Sequence, residues 1–287
     1  MDAPEFSEAT VRLAAFVLIF GSMAAYELWS PRLERDEMRG ALKSKRWFTN
    51  LSILVLSSVL LRIVFPAAAV GAALWAETKD IGLFRILDVP AFAAGLIAFF
   101  LLDFAVWLEH VASHKIPLLW RIHRMHHADQ GFDLTTALRF HPVEILLSMV
   151  WKAAIILLLG PPVIAVLVFE IVLNATAMFN HANFKIPLHL DRTLRLLLVT
   201  PDMHRVHHSA IQRETDSNYG FNLPVWDRMF GTYRDQPSEG HDTMKIGLDE
   251  FRGNRSANLG WSLLLPFRSA GYEDRPPAGP QKTPSGK

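Results

Sequence analysis

The chain alternates between long apolar runs and polar connectors, and five runs stand out. Val11 to Trp29 is the first. As a helix its residues would reach about 28 Å, close to the hydrocarbon thickness of a bilayer. It ends in Glu27-Leu28-Trp29 with no small-residue cleavage site, which reads as an uncleaved span. Leu51 to Ala76 is the second, interrupted by Arg62 and Pro66. A proline inside a helix removes a donor and kinks or breaks it. The pattern predicts one kinked span with Arg62 paired inside the bundle; the alternative is a separate half-helix over Ala67 to Trp75. Pro90 to Leu108 is the cleanest run, with Pro90 suited to a first helical turn. Val143 to Leu159 and Val163 to Phe179 predict a helical hairpin turning at Gly160-Pro161-Pro162.

The fold class expected is therefore all-α, an integral membrane bundle of about four to five spans with a histidine-rich di-metal cap on its cytoplasmic side. A short N-terminal segment (1–10) precedes one domain (11–267), and a polar Pro/Gly-rich tail (268–287) is expected to be disordered. After the hairpin, Leu190, Leu194, Leu197 and Leu198 with Arg192 and Arg195 predict an amphipathic interfacial helix. Thr200-Pro201-Asp202 reads as a helix start, with Thr as cap, Pro in the first turn and an acid near the positive end of the dipole. Ser209 to Phe267 is expected to cap the site.

Charges refine this picture. Arg32, Arg35, Arg39, Lys43, Lys45 and Arg46 crowd the connector between the first two runs, which makes it cytoplasmic by the positive-inside rule; the acidic N-terminus (Asp2, Glu5, Glu8) is then outside. Arg12 and Glu27, at the ends of the first run, are expected to reach headgroups. Lys152 and Glu170 lie nine residues either side of Pro161, so the hairpin should bring them to one depth as an ion pair. Asp103, an acid inside a span, is either held by Arg62 or a backbone donor, or orients an imidazole.

Histidine spacing carries the candidate chemistry. His110 and His114 are four apart; His123, His126 and His127 follow the pattern i, i+3, i+4, and His204, His207 and His208 repeat it. On helices each set shares one face. One such string occurs by chance, but three beside apolar runs point to a shared metal site, and eight imidazoles suit a pair of ions. Counting spans puts all of them on one membrane face. The 287 residues are 51% hydrophobic, with a formal net charge of +1 and no cysteine. That leaves no basic stripe for nucleic acid and excludes disulfides, thiolate zinc sites and cysteine-ligated clusters.

The strings H-V-A-S-H, H-R-M-H-H and H-R-V-H-H resemble the three histidine boxes of the fatty acid hydroxylase superfamily, also called the sterol desaturase family. Leu138 to Glu144, Asn180-His181-Ala182-Asn183, Asn218-Tyr219-Gly220 and Trp226 to Tyr233 resemble neighbouring family segments, so the resemblance covers about Arg46 to Tyr233. It implies His110, His114, His123, His126, His127, His204, His207 and His208 as metal ligands and His181 as a ninth. Lys185 and His189 do not fit the position of a further ligand, which leaves water or Asn183 there. Asp103, Asn183, Asn218 and Asp227 are candidates to support the ligands. His141 is expected to be structural or substrate-lining, and His189 and His241 ordinary surface residues.

The resemblance further implies two iron ions, with zinc fitting the same donors, O2 as co-substrate, and hydroxylation or desaturation of a lipid C–H bond in lipid biosynthesis or modification. A sterol, fatty acyl chain, sphingolipid, alkyl ether or carotenoid would each fit. No G-x-G-x-x-G string occurs, so electrons are expected from an NAD(P)H-linked donor through a separate reductase, cytochrome or ferredoxin. No H-E-x-x-H string supports a zinc protease, and histidines at span ends do not suit a haem carrier. A non-catalytic membrane metal sensor is the rival reading. The Ala- and Leu-rich spans without cysteine point to a bacterial inner membrane.

Overall fold

The structure, a computed structural model, describes residues 7–34 and 39–268. Each apolar run is helical. Ser7 accepts the Thr10 N–H and so caps α1 (Glu8–Trp29). Next come α2 (Gly40–Val64), α3 (Ala68–Thr78), the single turn α4 (Leu83–Ile86), α5 (Ala91–Lys115) and α6 (Pro117–His127). The hairpin is α7 (Pro142–Leu159) and α8 (Val163–His181). Short helices complete the chain: α9 (Leu188–Leu194), α10 (Pro201–His207), α11 (Gln212–Thr215), α12 (Val225–Met229) and α13 (Leu259–Leu263). Five stretches are long and apolar enough to cross a membrane: Glu8–Trp29, Gly40–Ile86, Ala91–Lys115, Pro142–Leu159 and Val163–His181. The described residues contain only two isolated β-bridges. The proposed tail from 269 onward lies outside the described residues.

The second apolar run is not one kinked helix. It breaks at Phe65-Pro66-Ala67, and Ala68 restarts the helix at φ 47°, in the left-handed region. Pro66 cannot continue the donor ladder. Arg62 does not enter the bundle to pair with Asp103; it is exposed, and its Nη1 donates to the Pro66 carbonyl at 2.6 Å, covering an acceptor the break leaves open. The broken pair still runs from one end of the bundle to the other. Arg46, near its start, bonds Asp129 beside the histidines, whereas Gly82, beyond α3, packs on Gly160 in the α7–α8 turn. A Cβ on Gly82 would lie 2.4 Å from the Gly160 Cα, and both residues have positive φ, so this crossing of two turns requires glycine on each side.

The core joins α3, α5, α7 and α8 through Val70, Leu102, Val106, Met149, Val166 and Phe169. Lys152 Nζ lies 3.1 Å from Glu170 Oε1, the ion pair predicted from their symmetry about the turn. Arg12 Nη2 adds a second bond to Glu170 Oε2 at 2.6 Å. Arg12 therefore turns inward and ties α1 to the hairpin rather than reaching headgroups. Glu27 is also buried, accepting the N–H groups of Leu134 and Asn183 at 3.0 and 2.8 Å. Glu170→Gln would leave both cations facing a neutral amide. Because Arg12 and Lys152 are partly exposed, a loss of about 2 kcal/mol is expected rather than the larger cost of a sealed pair. Thermal unfolding in mild detergent checks this; an unchanged midpoint would contradict it.

The interfacial segment is shorter than predicted. Leu188, Leu190, Leu196 and Leu197 are exposed, but Arg195 is buried against Asp191 and Asp235 instead of lying on a polar face. Thr200 does cap α10, its hydroxyl accepting the Met203 N–H.

Candidate metal centre

Three helices and the end of a fourth deliver nine imidazoles to one end of the bundle. α5 contributes His110 and His114 from its last turns, and α6 contributes His123, His126 and His127. His181 ends α8, and α10 with its cap contributes His204, His207 and His208. All nine are buried. They form two groups, His110, His114, His123, His127 and His207 in one and His126, His181, His204 and His208 in the other; within each, one candidate ligand atom per residue lies within 4.8 Å of the rest. The i, i+1 step explains the division: neighbouring His126 and His127 point about a hundred degrees apart on their helix, so each serves a different group.

The hydrogen bonds fix which nitrogens face inward. His110 Nδ1 lies 2.7 Å from the Tyr219 carbonyl, His181 Nδ1 2.7 Å from the Ala177 carbonyl and His207 Nδ1 2.7 Å from the Ser217 carbonyl. A carbonyl only accepts, so each Nδ1 carries the proton and each Nε2 presents a lone pair. His123 Nδ1 makes the same kind of bond to Glu144 Oε1 at 2.6 Å. His110 Nε2 and His123 Nε2 then face each other at 3.2 Å with no proton between them. His181 Nε2 meets the Nε2 atoms of His126, His204 and His208, each at 3.2 Å. Facing lone pairs repel unless a cation lies among them. Nitrogens about 2.1 Å from a shared ion sit about 3.0–3.4 Å apart for right-angle to tetrahedral arrangements. The donor set therefore fits a metal in each group.

Burial favours the neutral, ligand-ready form. It holds His126, His127, His204 and His208 well below the usual imidazole range, with the neighbouring histidines adding to the effect. Burial takes His207 down to about 3 despite the opposing bond to Ser217. In the unfolded chain a histidine titrates near pH 6.5. Below that pH the unfolded state gains protons that the folded state refuses. The metal-free protein is thus expected to keep its full stability above about pH 6.5 and to lose up to about 1.4 kcal/mol per pH unit for each such histidine as pH falls. Melting curves of metal-free protein between about pH 8 and 5 test this sign; a midpoint independent of pH would contradict it.

The supporting residues differ in part from expectation. Asp103 accepts from Trp226 Nε1 at 2.8 Å and from Asn222, and touches no histidine through a hydrogen bond. Asp227 accepts from Trp107 Nε1 at 3.0 Å and from the N–H groups of Tyr219 and Gly220, both at 2.9 Å. Together these bonds lock α12 onto α5 and fix the Tyr219 carbonyl on which His110 rests. Asn218 donates to the Met203 and Arg234 carbonyls beside Ser217. Asn183 is not aimed at the metal groups: its side chain bonds both the N–H and the carbonyl of Leu33. His141 is structural, capping α7 through the Val143 N–H and reaching the Leu263 carbonyl. His189 is exposed as expected, whereas His241 is buried near Asp202 and Arg205, and burial pushes it down to about 4. Glu144 escaped the sequence reading although Pro142-Val143-Glu144 places it in the first turn of α7, where an acid is favoured.

A helical bundle with spans of membrane length, closed at one end by two adjacent polyhistidine groups, has the donors to hold metal ions at that end. Residues 95–232, just under half of the chain, match the model of the fatty acid hydroxylase family. Ornithine lipid hydroxylase OlsE of Rhizobium tropici is 31% identical over 137 residues, 47% of this chain and 40% of that protein. Alkylglycerol monooxygenase of Danio rerio is 34% identical over 153 residues, 52% of this chain and 33% of that protein. A very-long-chain aldehyde decarbonylase of Oryza sativa subsp. indica is 25% identical over 217 residues, 72% of this chain and 32% of that protein. These matches span two fifths or less of the relatives' own lengths. No solved structure matches the chain.

Proposed function

We propose that this protein is an O2-dependent lipid hydroxylase of the membrane, with two iron ions held by the two histidine groups. The observation that carries the reading is the convergence of ring nitrogens from nine buried histidines inside a fatty acid hydroxylase segment, with the Nε2 atoms of His110, His123, His181 and His207 left free by the bonds their Nδ1 atoms make. His110, His114, His123, His127 and His207 would hold one ion, and His126, His181, His204 and His208 the other. When bound, the irons supply reductive activation of O2. The balance is RH + O2 + two electrons + two protons giving ROH and water, with electrons from an external NAD(P)H-linked donor protein. Hydroxylation is preferred to desaturation because two of the relatives are named as a lipid hydroxylase and a monooxygenase. The basic connector supports a site on the cytoplasmic side. Within that connector Arg46 is buried in ion pairs and Arg32 and Arg39 pair with acids, which leaves Lys43 and Lys45, among the described residues, to carry the orientation signal.

The chain's own residues do three things in this account. The carbonyls of Tyr219, Ala177 and Ser217 and the Glu144 carboxylate orient the rings. Burial excludes bulk water, which protects a reactive site from side reactions. Phe140 and Phe221 give an alkyl chain an apolar surface beside the metal groups: Phe140 stacks on His126 with centroids 4.4 Å apart, Phe221 lies 4.9 Å from His110, and Phe221 joins the membrane core.

The test is incubation of iron-loaded protein with a total lipid extract, NADPH, a ferredoxin and its reductase under isotopically labelled O2. A lipid that gains one labelled oxygen supports the proposal. A lipid that loses hydrogen without gaining label makes the protein a desaturase. Unchanged lipids despite an intact, reducible iron centre would favour the sensor reading.

A further inference from the structure

A second site lies outside the metal centre, where α2 enters the bundle. Lys45, Asn254, Arg255, Asn258 and Trp261 line an open depression of about 480 Å³. Its lining offers two cations, two amides and an indole, and no carboxylate. Neither Lys45 nor Arg255 is in an ion pair among the described residues, unlike Arg32, Arg39, Arg46, Arg195, Arg205 and Arg252, which all pair with acids. Two unpaired cations with no carboxylate beside them suit an anion, and the mostly apolar wall around them suits one attached to an apolar body.

Its depth and surroundings identify the kind of anion. Lys45 precedes the apolar run at Leu51 by less than two helical turns, the level at which basic side chains meet headgroups. Below it on α2, Phe48, Val55, Val59 and Ile63 are all exposed and follow helical spacing, an apolar stripe leading down from the pocket. On the other side, α13 carries Trp261 into the pocket, and Leu264 and Phe267 just beyond it are exposed. Tryptophan is favoured where an apolar body meets a polar surface at the membrane boundary. A basic hollow above an apolar stripe matches one lipid molecule, with its head in the hollow and a chain along α2.

We propose that this hollow is a binding site for the phosphate headgroup of an anionic phospholipid. The loop that forms its floor is tied to the segment following His127: Gln130 Nε2 donates to the carbonyls of Phe251 and Gly253 at 3.1 and 2.7 Å, and Thr49 donates to the Ala257 carbonyl at 2.8 Å. A bound headgroup would hold residues 254–258 against α2 from outside as these bonds do from inside. The site does not depend on a metal or on catalysis.

Native mass spectrometry of the full chain in a neutral detergent tests it, with phosphatidylglycerol, phosphatidylcholine and inorganic phosphate as probes. Two cations at the membrane surface should favour the anionic lipid by roughly thirty-fold, with one molecule retained per chain. Lys45→Gln/Arg255→Gln should bring phosphatidylglycerol to the level of phosphatidylcholine. Lys79→Gln/Arg85→Gln, which removes equal charge at the other end of the bundle, should leave the preference intact. Equal retention of both lipids by the parent would overturn the proposal, as would a preference that survives Lys45→Gln/Arg255→Gln. Saturation by inorganic phosphate alone would make it a free-phosphate site. Retention of an acidic soluble ferredoxin at the same residues, without lipid preference, would make it a protein-docking face.

Discussion

Replacing Arg46 by Met should cost about 3–5 kcal/mol, the range for breaking a sealed ion pair from one side, and the protein should accumulate poorly in membranes. Arg46 is 1% exposed and sits at the centre of the network behind the second histidine box. Its Nε and Nη2 bond the two Asp129 oxygens at 2.7 and 2.8 Å; Nη1 bonds Asp133 at 3.0 Å, and Nη2 also reaches the Gly131 carbonyl. Gly131 packs so closely that a Cβ there would lie 2.4 Å from the guanidinium carbon. Burial pushes the Asp129 carboxyl up, but Arg46 outweighs it and brings it down to about 2. Without Arg46, two buried carboxylates face each other on the loop that follows His127. Arg46→Met combined with Asp129→Asn should recover part of the loss, because one uncompensated charge is gone. Expression level and unfolding midpoint in detergent measure both effects; an Arg46→Met protein as stable as the parent would contradict the assignment.

The second large effect is on the metal rather than the fold. Glu144→Leu should weaken metal retention ten- to a hundred-fold, the usual effect of removing a carboxylate that orients a ligating imidazole. Glu144 fixes the proton of His123 on Nδ1, which leaves Nε2 facing His110 and His127 at 3.2 and 3.1 Å. Without it the ring can turn or adopt the other tautomer. Glu144→Gln, whose amide oxygen still accepts, should lose much less. A chelator titration compares the three proteins, with far-UV circular dichroism as the control for folding. If one chelator concentration strips all three alike, Glu144 does not position His123.

What was legible in the sequence was local or symmetric. Histidines four apart had to share helix faces, and His110/His114, His123/His127 and His204/His208 each stay in one group, whereas the pairs three apart divide between the two. Thr200 capped its helix because the cap needs only neighbours. Lys152 and Glu170 could be paired because a tight turn places equidistant residues at equal depth. What was hidden depends on long-range packing. Arg46 looked like one more positive-inside charge, yet its partner lies 83 residues away. Glu27 looked like a headgroup contact, but it accepts N–H groups 107 and 156 residues downstream. Asn183 sits two residues from the candidate ligand His181, yet its side chain is spent on Leu33. Pro66 marks a bend in the second run, but neither the full break into two helices nor the direction of Arg62 was legible, since a mid-run cation can turn inward or fold back onto the carbonyl beside its own break.

The central claim is that two metal ions share nine histidines, one ion per group. Its most direct test is metal content per chain after purification in mild detergent, for the parent and for His207→Ala/His208→Ala, which removes one ligand from each group. The account predicts close to two iron per parent chain, and a sharp loss in the variant with helical content unchanged. Two zinc would keep the sites and direct attention to exchange during purification. Little metal in a well-folded parent, or full metal in the variant, would contradict the account.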